Sequence, residues 1–210
     1  MSKPLKPAVI GIAGGTGSGK TALATRLAEK YETRGVCLLS EDSYYYDRSY
    51  LEPSERERLN YDEPDAVEFS LLLQHLQSLV GGKPVAKPIY EFATHTRCSE
   101  TDLIRPGSII VVEGLFALWD ARIRTSMDLK IYIDAEPDFR FIRRLHRDVL
   151  ERGRTIEAVI EQYLISVRPM HYRYIEPTKA FADVVLHNNG AQEEFFSAAS
   201  EVIAKKLGEA

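Results

Sequence analysis

The sequence has little cysteine and no long apolar run. Of its 210 residues only Cys37 and Cys98 are cysteines, and they lack C-x-x-C spacing, which excludes a disulfide framework and favours a reducing, cytoplasmic compartment. No apolar stretch approaches the roughly 18 residues of a membrane-spanning helix, and the start of the chain lacks the apolar core of a secretion signal. We therefore expect no membrane partner.

The chain also lacks an excess of basic residues. Its 27 Lys and Arg stand against 31 Asp and Glu, giving a formal net charge of −4. This balance excludes a nucleic-acid-binding surface spread over the whole protein. The length and a hydrophobic content of 44% suit one domain, which we place at residues 1–210.

A glycine-rich motif follows an apolar run near the start of the chain. After the apolar residues 8–13, the pattern G-x-x-x-x-G-K-[ST] is formed by Gly14, Gly15, Thr16, Gly17, Ser18, Gly19, Lys20 and Thr21. The order of strand, loop and helix is that of a phosphate-binding P-loop, in which Lys20 reaches the β- and γ-phosphates and Thr21 holds Mg²⁺. A flexible glycine linker is the alternative, but it would not be flanked by a strand and a helix. The motif predicts a nucleoside triphosphate site.

Apolar runs and helical periodicities alternate along the rest of the chain. Strands are predicted at residues 36–40, 109–114, 129–134 and 184–186, and helices at 65–80, from 137, at 155–174 and at 191–207. Residues 84–106 suggest an irregular hairpin inserted into this alternation. The pattern predicts an α/β fold with a doubly wound, mostly parallel sheet and helices on both faces.

Two acidic residues follow predicted strands. Asp42 and Glu113 should lie at the carboxyl edge of the sheet, beside the P-loop. One could ligate Mg²⁺ through water, and the other could accept the proton of an attacking hydroxyl. The alternative is that Asp42 caps a turn and Glu113 pairs with an arginine.

Arginines are concentrated between residues 140 and 154, where six occur. Guanidinium groups can neutralise the charge that phosphoryl transfer spreads over three oxygens, so a helical lid at about residues 137–168 is predicted. Gly153, between two arginines, favours a hinge. The alternative is a solvated helix with pairs such as Arg144 with Asp148.

Aromatic and polar side chains are interleaved in two further segments. Tyr61 and Asp62 form one group, and Tyr90, Phe92 and His95 form the other. Aromatic rings could stack on a flat base, and a carboxylate could accept hydrogen bonds from ribose hydroxyls. The alternative is that the rings fill the buried face of the hairpin and that His95 is a loop residue.

Several motifs together resemble the uridine kinase family, also called the uridine-cytidine kinase family. The resemblance covers nearly the whole chain, in order, and rests on the P-loop, residues 41–45, 60–66, 88–92 and 95–97, 113–115, 143–148, 151–154, 162–163 and 168–170. It implies transfer of a phosphoryl group from ATP or GTP, with Mg²⁺, to the 5′-hydroxyl of uridine and cytidine in pyrimidine salvage. It also implies a homo-oligomer, a tetramer in the family.

The resemblance also assigns roles to individual residues. It makes Asp42 the base, with Lys20 and Arg147 as further catalytic residues, and it places Glu113 with Thr21 at the metal. The resemblance also implies that Arg152, together with the P-loop residues, binds ATP. The residues implied at the nucleoside are Asp62, Arg144 and Gln162 near the ribose, Tyr90, Phe92 and His95 at the pyrimidine, and Arg154 in the lid.

The chain departs from the family pattern at three points, one of which is that Glu68 and Glu91 stand where aspartates are common. Glu63 stands where histidine is frequent, and residues 187–190 replace a Pro-Arg-Gly segment, which leaves the contacts to adenine and the choice between ATP and GTP open. Two rival functions remain. One is a related kinase, similar to phosphoribulokinase or pantothenate kinase, and the other is a nucleotide-dependent switch without a small acceptor.

Overall fold

The computed structural model describes residues 6–190 and 192–209. This part of the chain contains a five-stranded sheet and a separate two-stranded hairpin. The strands are β1 (Ala8–Gly14), β2 (Val36–Ser40), β3 (Val85–Glu91), β4 (Thr96–Ile104), β5 (Ile109–Gly114), β6 (Leu129–Asp134) and β7 (Val184–His187). β3 and β4 form the antiparallel hairpin, within the predicted residues 84–106.

The large sheet has the strand order β2-β5-β1-β6-β7, and every pair in it is parallel. β1 lies in the centre, with Ala8 opposite Ile109 of β5 and Ile10 opposite Leu129 of β6. Because parallel strands end at the same edge, the loop after β1 lies between the carboxyl ends of β5 and β6. This topology brings the P-loop and Glu113 to one edge of the sheet.

Helices cover both faces of this sheet. They are α1 (Lys20–Lys30), α2 (Pro53–Arg56), α3 (Phe69–Val80), α4 (Ala121–Arg124), α5 (Pro137–Leu150), α6 (Ile156–Gln162), α7 (Arg168–Met170) and α8 (Gln192–Lys206). The π-helical segment Tyr163–Val167 joins α6 to α7, and a second one, His171–Ile175, follows α7 directly. Together they form one long helical stretch, in agreement with the helix predicted at 155–174.

Alternate residues of β1 belong to different cores. Val9 packs in a cluster with Leu72 and Leu76 of α3. Ile10 and Ile12 pack in the other cluster, which contains residues of α1 and α8. Side chains of successive strand residues point to opposite faces, so the two clusters lie on the two sides of the sheet. The predicted doubly wound α/β fold is confirmed.

Helix α3 begins later than the sequence predicted. The expected start was residue 65, but the helix starts at Phe69. Pro64–Ala66 form a 3₁₀ turn, and Val67 makes an isolated bridge to Tyr45. The tertiary bridge holds this segment extended, so the helix cannot begin before it.

Helix α5 buries a polar face. Its buried residues are Arg140, Arg144 and Asp148, whereas the apolar Ile142 is exposed. The apolar residues Phe141, Leu145 and Val149 are half-buried, so the most buried stripe of this amphipathic helix is polar rather than apolar. The face that points into the protein is therefore charged.

At the end of the chain, the helix predicted at 191–207 is present as α8; Ala191 lies outside the described residues. No helix in the described ranges has the length and apolar character needed to cross a membrane.

Candidate active site

The P-loop requires glycine at several positions. Gly17 has φ +71°, in the left-handed region, and a Cβ built there would overlap the backbone oxygen of Arg140. A Cβ on Gly14 would overlap the backbone oxygen of Ile133 on β6. The loop is therefore packed tightly between β6 and α5, and α1 begins directly after it at Lys20, so the positive end of a helix points at the loop.

The side chain of Lys20 is buried inside this loop. Its Nζ donates a hydrogen bond of 3.0 Å to the backbone oxygen of Gly15. Burial lowers the pKa of Lys20, and the nearby carboxylates of Glu113, Asp42 and Glu41 oppose that change. A cation near three acids, in a glycine-rich loop at the start of a helix, is suited to binding a phosphate that carries a metal ion.

Glu113 lies at the end of β5 and accepts two hydroxyl hydrogen bonds. Ser40 Oγ donates to it at 2.6 Å and Thr21 Oγ1 at 3.3 Å. Burial, with the charge of Asp42 added, raises the pKa of Glu113, while Lys20 and the two hydroxyls oppose this. Asp42 itself is half-buried and lines the same cleft. The structure thus brings together the two predicted acids and the two predicted P-loop side chains.

Glu41 is a buried acid to which the sequence analysis assigned no role. The backbone N–H of Phe116 donates to both of its carboxylate oxygens, at 3.1 and 2.9 Å. Burial, followed by the charge of Asp42, raises the pKa of Glu41 well above its usual range. Glu41 therefore ties the segment after β2 to the segment after β5, which places Asp42 beside Glu113.

One cleft of about 1870 Å³ connects the P-loop with the hairpin. Its lining includes most of the residues predicted to bind nucleotide or nucleoside, although these residues are far apart in the sequence. These are Thr16, Gly17, Gly19, Lys20, Thr21, Asp42, Asp62, Tyr90, Phe92, His95, Glu113, Arg144, Arg147, Arg152, Arg154 and Gln162.

Asp62 lies buried at the end of the cleft formed by the helical segment that follows α6. It accepts a hydrogen bond of 2.7 Å from Ser166 Oγ. Burial raises its pKa, and the guanidinium of Arg144 opposes the change. Arg144 in turn donates to Gln162 Oε1 at 2.8 Å and to Thr16 Oγ1 at 3.2 Å, so it links this end of the cleft to the P-loop. Ser166 was not predicted, because a lone serine on a helix carries no sequence signal.

The predicted aromatic group is assembled at the hairpin. His95 stacks on Tyr61, with ring centroids 4.6 Å apart and an interplanar angle of 11°. Tyr90 and Phe92 meet edge to face at 5.4 Å, and the guanidinium of Arg152 lies 4.6 Å from the Phe92 centroid. These rings form a wall of the cleft, so they do more than fill the buried face of the hairpin.

Asn188, in the segment that departs from the family pattern, supports the P-loop from outside. Its Nδ2 donates to the backbone oxygen of Ser18 at 2.8 Å, and Arg143 donates to its backbone oxygen at 3.1 Å. Asn188 also lines the cleft, as do Gln192 and Phe196. The replaced segment therefore still contacts the nucleotide loop.

This protein has a P-loop after the central strand of a parallel sheet. Acids lie at the ends of the neighbouring strands, and arginines face the loop across the cleft. This arrangement defines the class of P-loop kinases. The sequence matches the profile described as "Phosphoribulokinase / Uridine kinase family" over residues 9–193. The chain belongs to this family.

Relatives and solved structures agree with this assignment. A uridine kinase of Geobacillus kaustophilus is 48% identical over 185 residues, covering 88% of each chain. A uridine kinase of Deinococcus deserti is 47% identical over 193 residues, covering 92% of this chain and 93% of that one. The structure of phosphoribulokinase from Rhodobacter spheroides superposes with a TM-score of 0.65 at 18% identity, covering 88% of this chain and 71% of that one. At this identity the structural likeness concerns the fold alone.

Proposed function

We propose that this chain transfers the γ-phosphoryl group of ATP or GTP to the 5′-hydroxyl of uridine and cytidine, forming UMP and CMP. The observation that carries the proposal is that one cleft is lined both by the P-loop and by an aromatic and acidic group of side chains. The uridine kinases to which the chain is nearly half identical support the choice of acceptor.

The donor phosphates bind to the backbone N–H groups of the P-loop and to Lys20. Mg²⁺ fits beside them, since Thr21 and Glu113 supply a hydroxyl and a carboxylate already in contact. The described residues contain no cluster of three His, Cys, Asp or Glu side chains able to hold a metal alone, and a P-loop Mg²⁺ takes its remaining ligands from phosphate and water. When bound, Mg²⁺ neutralises charge on the transferring phosphoryl group.

Asp42 acts as the base toward the acceptor. It accepts the proton of the 5′-hydroxyl as that oxygen forms a bond to the γ-phosphorus and the bond from phosphorus to the leaving nucleotide oxygen breaks. Asp62, Arg144 and Gln162 hold the ribose, because a carboxylate accepts from hydroxyls and a guanidinium donates to them. Arg147 and Arg152 neutralise the phosphates, and Arg154 completes the lid on the nucleoside side.

The pyrimidine lies against Tyr90, Phe92 and His95. Burial lowers the pKa of His95; Glu57 opposes this change, and Arg154 and Arg56 add to it, so the ring is neutral near pH 7. A neutral imidazole has one donor and one acceptor nitrogen, which allows it to bond either the uracil oxygen or the cytosine amino group. This supports the use of both nucleosides.

Further parts of the proposal rest on the family resemblance. They are a tetrameric assembly and a role in pyrimidine salvage. The single kinase domain over residues 1–210 rests on length and hydrophobic content, and the cytoplasmic location rests on the two isolated cysteines. Size measurement in solution tests the assembly directly.

The decisive assay incubates the protein with MgATP or MgGTP and, separately, uridine, cytidine, adenosine, ribulose 5-phosphate and pantothenate. We expect UMP and CMP, with ADP or GDP formed in equal amounts. Phosphorylation of ribulose 5-phosphate or pantothenate without that of nucleosides would contradict the proposal in favour of a related kinase. Hydrolysis of ATP at the same rate with and without any acceptor would favour a nucleotide-dependent switch.

A further inference from the structure

One carboxylate organises the arginines of α5 and the turn that follows it. The side chain of Asp148 is fully buried, and four guanidinium groups approach it. Arg147 donates from Nε and Nη2 to Oδ1 at 2.9 and 2.8 Å. The other contacts are Arg152 with Oδ1 at 3.6 Å, Arg144 with Oδ2 at 3.4 Å and Arg154 with Oδ2 at 3.6 Å.

The two oxygens of Asp148 contact different pairs of arginines, and each pair also reaches across the cleft: Arg152 lies 4.6 Å from the Phe92 ring centroid, and Arg144 donates to Thr16 of the P-loop. Oδ1 faces Arg147 and Arg152, the two arginines placed at the donor phosphates. Oδ2 faces Arg144 and Arg154, and both of these donate to Gln162 Oε1 on the nucleoside side. A single rigid group thus touches both sets of arginines.

The backbone around Asp148 fixes the turn that carries two of these arginines. The N–H of Arg154 donates to the backbone oxygen of Asp148 at 3.0 Å. Gly153 between Arg152 and Arg154 has φ +64°, and a Cβ there would meet open space. The chain therefore folds back onto α5 at a glycine, which places Arg152 and Arg154 within reach of the same carboxylate.

The arginines around Asp148 outnumber the acids near them, since Asp62 also acts on Arg144 and Arg154 and Asp42 also acts on Arg152. Four guanidinium groups surround one buried carboxylate, so an anion that enters the cleft competes with Asp148 for its partners. When a triphosphate binds Arg147 and Arg152, these two arginines pair with the phosphates and neutralise the charge on Oδ1 less than before. Less of the field of the carboxylate is then cancelled at Arg144 and Arg154. This field is screened weakly at the buried Arg144 and more strongly at Arg154, whose side chain is 32% exposed.

We infer that Asp148 is a positioning residue that couples the two substrate sites: binding of the triphosphate raises the affinity for the nucleoside by holding Arg144 and Arg154 in place. This inference rests on the proposed function. Coupling between two binding sites is reciprocal and typically amounts to about 5-fold to 150-fold in affinity. Nucleoside binding therefore raises the affinity for the triphosphate by the same factor.

The test measures the Kd of uridine by calorimetry with and without a saturating, non-hydrolysable ATP analogue and Mg²⁺. In the wild type we expect the analogue to tighten uridine binding by at least about fivefold. Asp148→Asn keeps the shape of the side chain and removes its charge. In this variant we expect the Kd of uridine with the analogue to be within about twofold of the Kd without it. The control is Asp183→Asn, which removes an ion pair with Lys130 at the opposite edge of the sheet and should keep the wild-type factor.

Two outcomes overturn the inference. One is a wild type that phosphorylates uridine but binds it equally well with and without the analogue. The other is an Asp148→Asn variant that weakens both ligands yet keeps the coupling, as a purely structural residue would. If Asp148→Asn does not fold, Arg154→Gln removes one partner of Oδ2 from the half-exposed turn, and an unchanged factor there also overturns it. A wild type that neither binds nor phosphorylates uridine contradicts the proposed function first, and the inference with it.

Discussion

Replacing Asp42 by asparagine separates proton transfer from binding. Asparagine has nearly the same shape and can still accept a hydrogen bond from the 5′-hydroxyl, but it cannot take the proton. Loss of a positioned base costs about 10²-fold to 10⁴-fold in rate, and 10²-fold corresponds to about 2.7 kcal/mol of activation free energy. We therefore expect kcat to fall at least about 100-fold.

The structure also predicts what this substitution leaves intact. Lys20 is surrounded by three carboxylates, so two remain after Asp42 loses its charge. Lys20 and the packed glycines of the P-loop then still bind the nucleotide. The KM values for ATP and uridine should stay within about threefold of the wild type, the pattern of an interaction made only in the transition state.

The assay follows UMP by chromatography in single-turnover and steady-state experiments over a range of Mg²⁺ concentrations. Glu113→Gln is the contrasting variant, since weaker metal binding should be partly restored by added Mg²⁺. A kcat for Asp42→Asn within about threefold of the wild type would refute the role of Asp42 as the base. Recovery of its activity at high Mg²⁺ would refute it as well, because Asp42 would then be a metal ligand.

Three other substitutions test other parts of the site. His95→Ala removes the ring stacked on Tyr61, so kcat/KM for uridine should fall at least about tenfold while the KM for ATP stays within about twofold in steady-state assays. Gly17→Ala should abolish nucleotide binding in calorimetry, because the new Cβ would overlap the backbone oxygen of Arg140 at a positive φ. Burial, with Arg140 and Lys20, lowers the pKa of His171 to about 3, so the folded state prefers the neutral ring that the unfolded chain protonates below about pH 6.5. As the pH falls from 6.5, the free energy of unfolding of the wild type should therefore decrease relative to that of His171→Gln by up to about 1.4 kcal/mol per pH unit, measured by urea unfolding.

Each of these predictions has a matched control. Thr94→Ala changes the residue beside His95 in the hairpin turn and should leave kcat/KM for uridine unchanged. Gly82→Ala creates similar backbone strain at φ +76° with no atom within 4 Å, so it should lower stability without affecting nucleotide binding. His146→Gln changes an exposed histidine on α5 and should keep the wild-type pH dependence. Equal effects in a test variant and its control would contradict the corresponding prediction.

Local sequence patterns predicted the sheet and the phosphate loop well. Short, continuous apolar runs such as that at residues 109–114 are typical of buried parallel strands, and the P-loop glycines are required by backbone geometry rather than by distant contacts. The start of α3 was predicted wrongly because the bridge between Tyr45 and Val67 is a tertiary contact that outweighs helical periodicity.

The site was harder to predict wherever it depends on distant pairs. Asp62 and Ser166 meet across more than a hundred residues, and no local pattern indicates such a contact. The pair of Arg144 and Asp148 was recognised from its i, i+4 spacing, but only as a feature of a solvated helix. The approach of Arg152 and Arg154 to the same carboxylate depends on the turn at Gly153, which spacing alone does not specify.

The position of β1 has a consequence for synthesis of the protein. Both neighbours of this strand come from the second half of the chain, with Ala8 opposite Ile109 and Ile10 opposite Leu129. A nascent chain that has not yet passed Ile109 on the ribosome therefore has no partner for the strand that carries the phosphate loop. ATP can stabilise this protein only late in translation, and truncated products ending before that point remain substrates for proteases and chaperones.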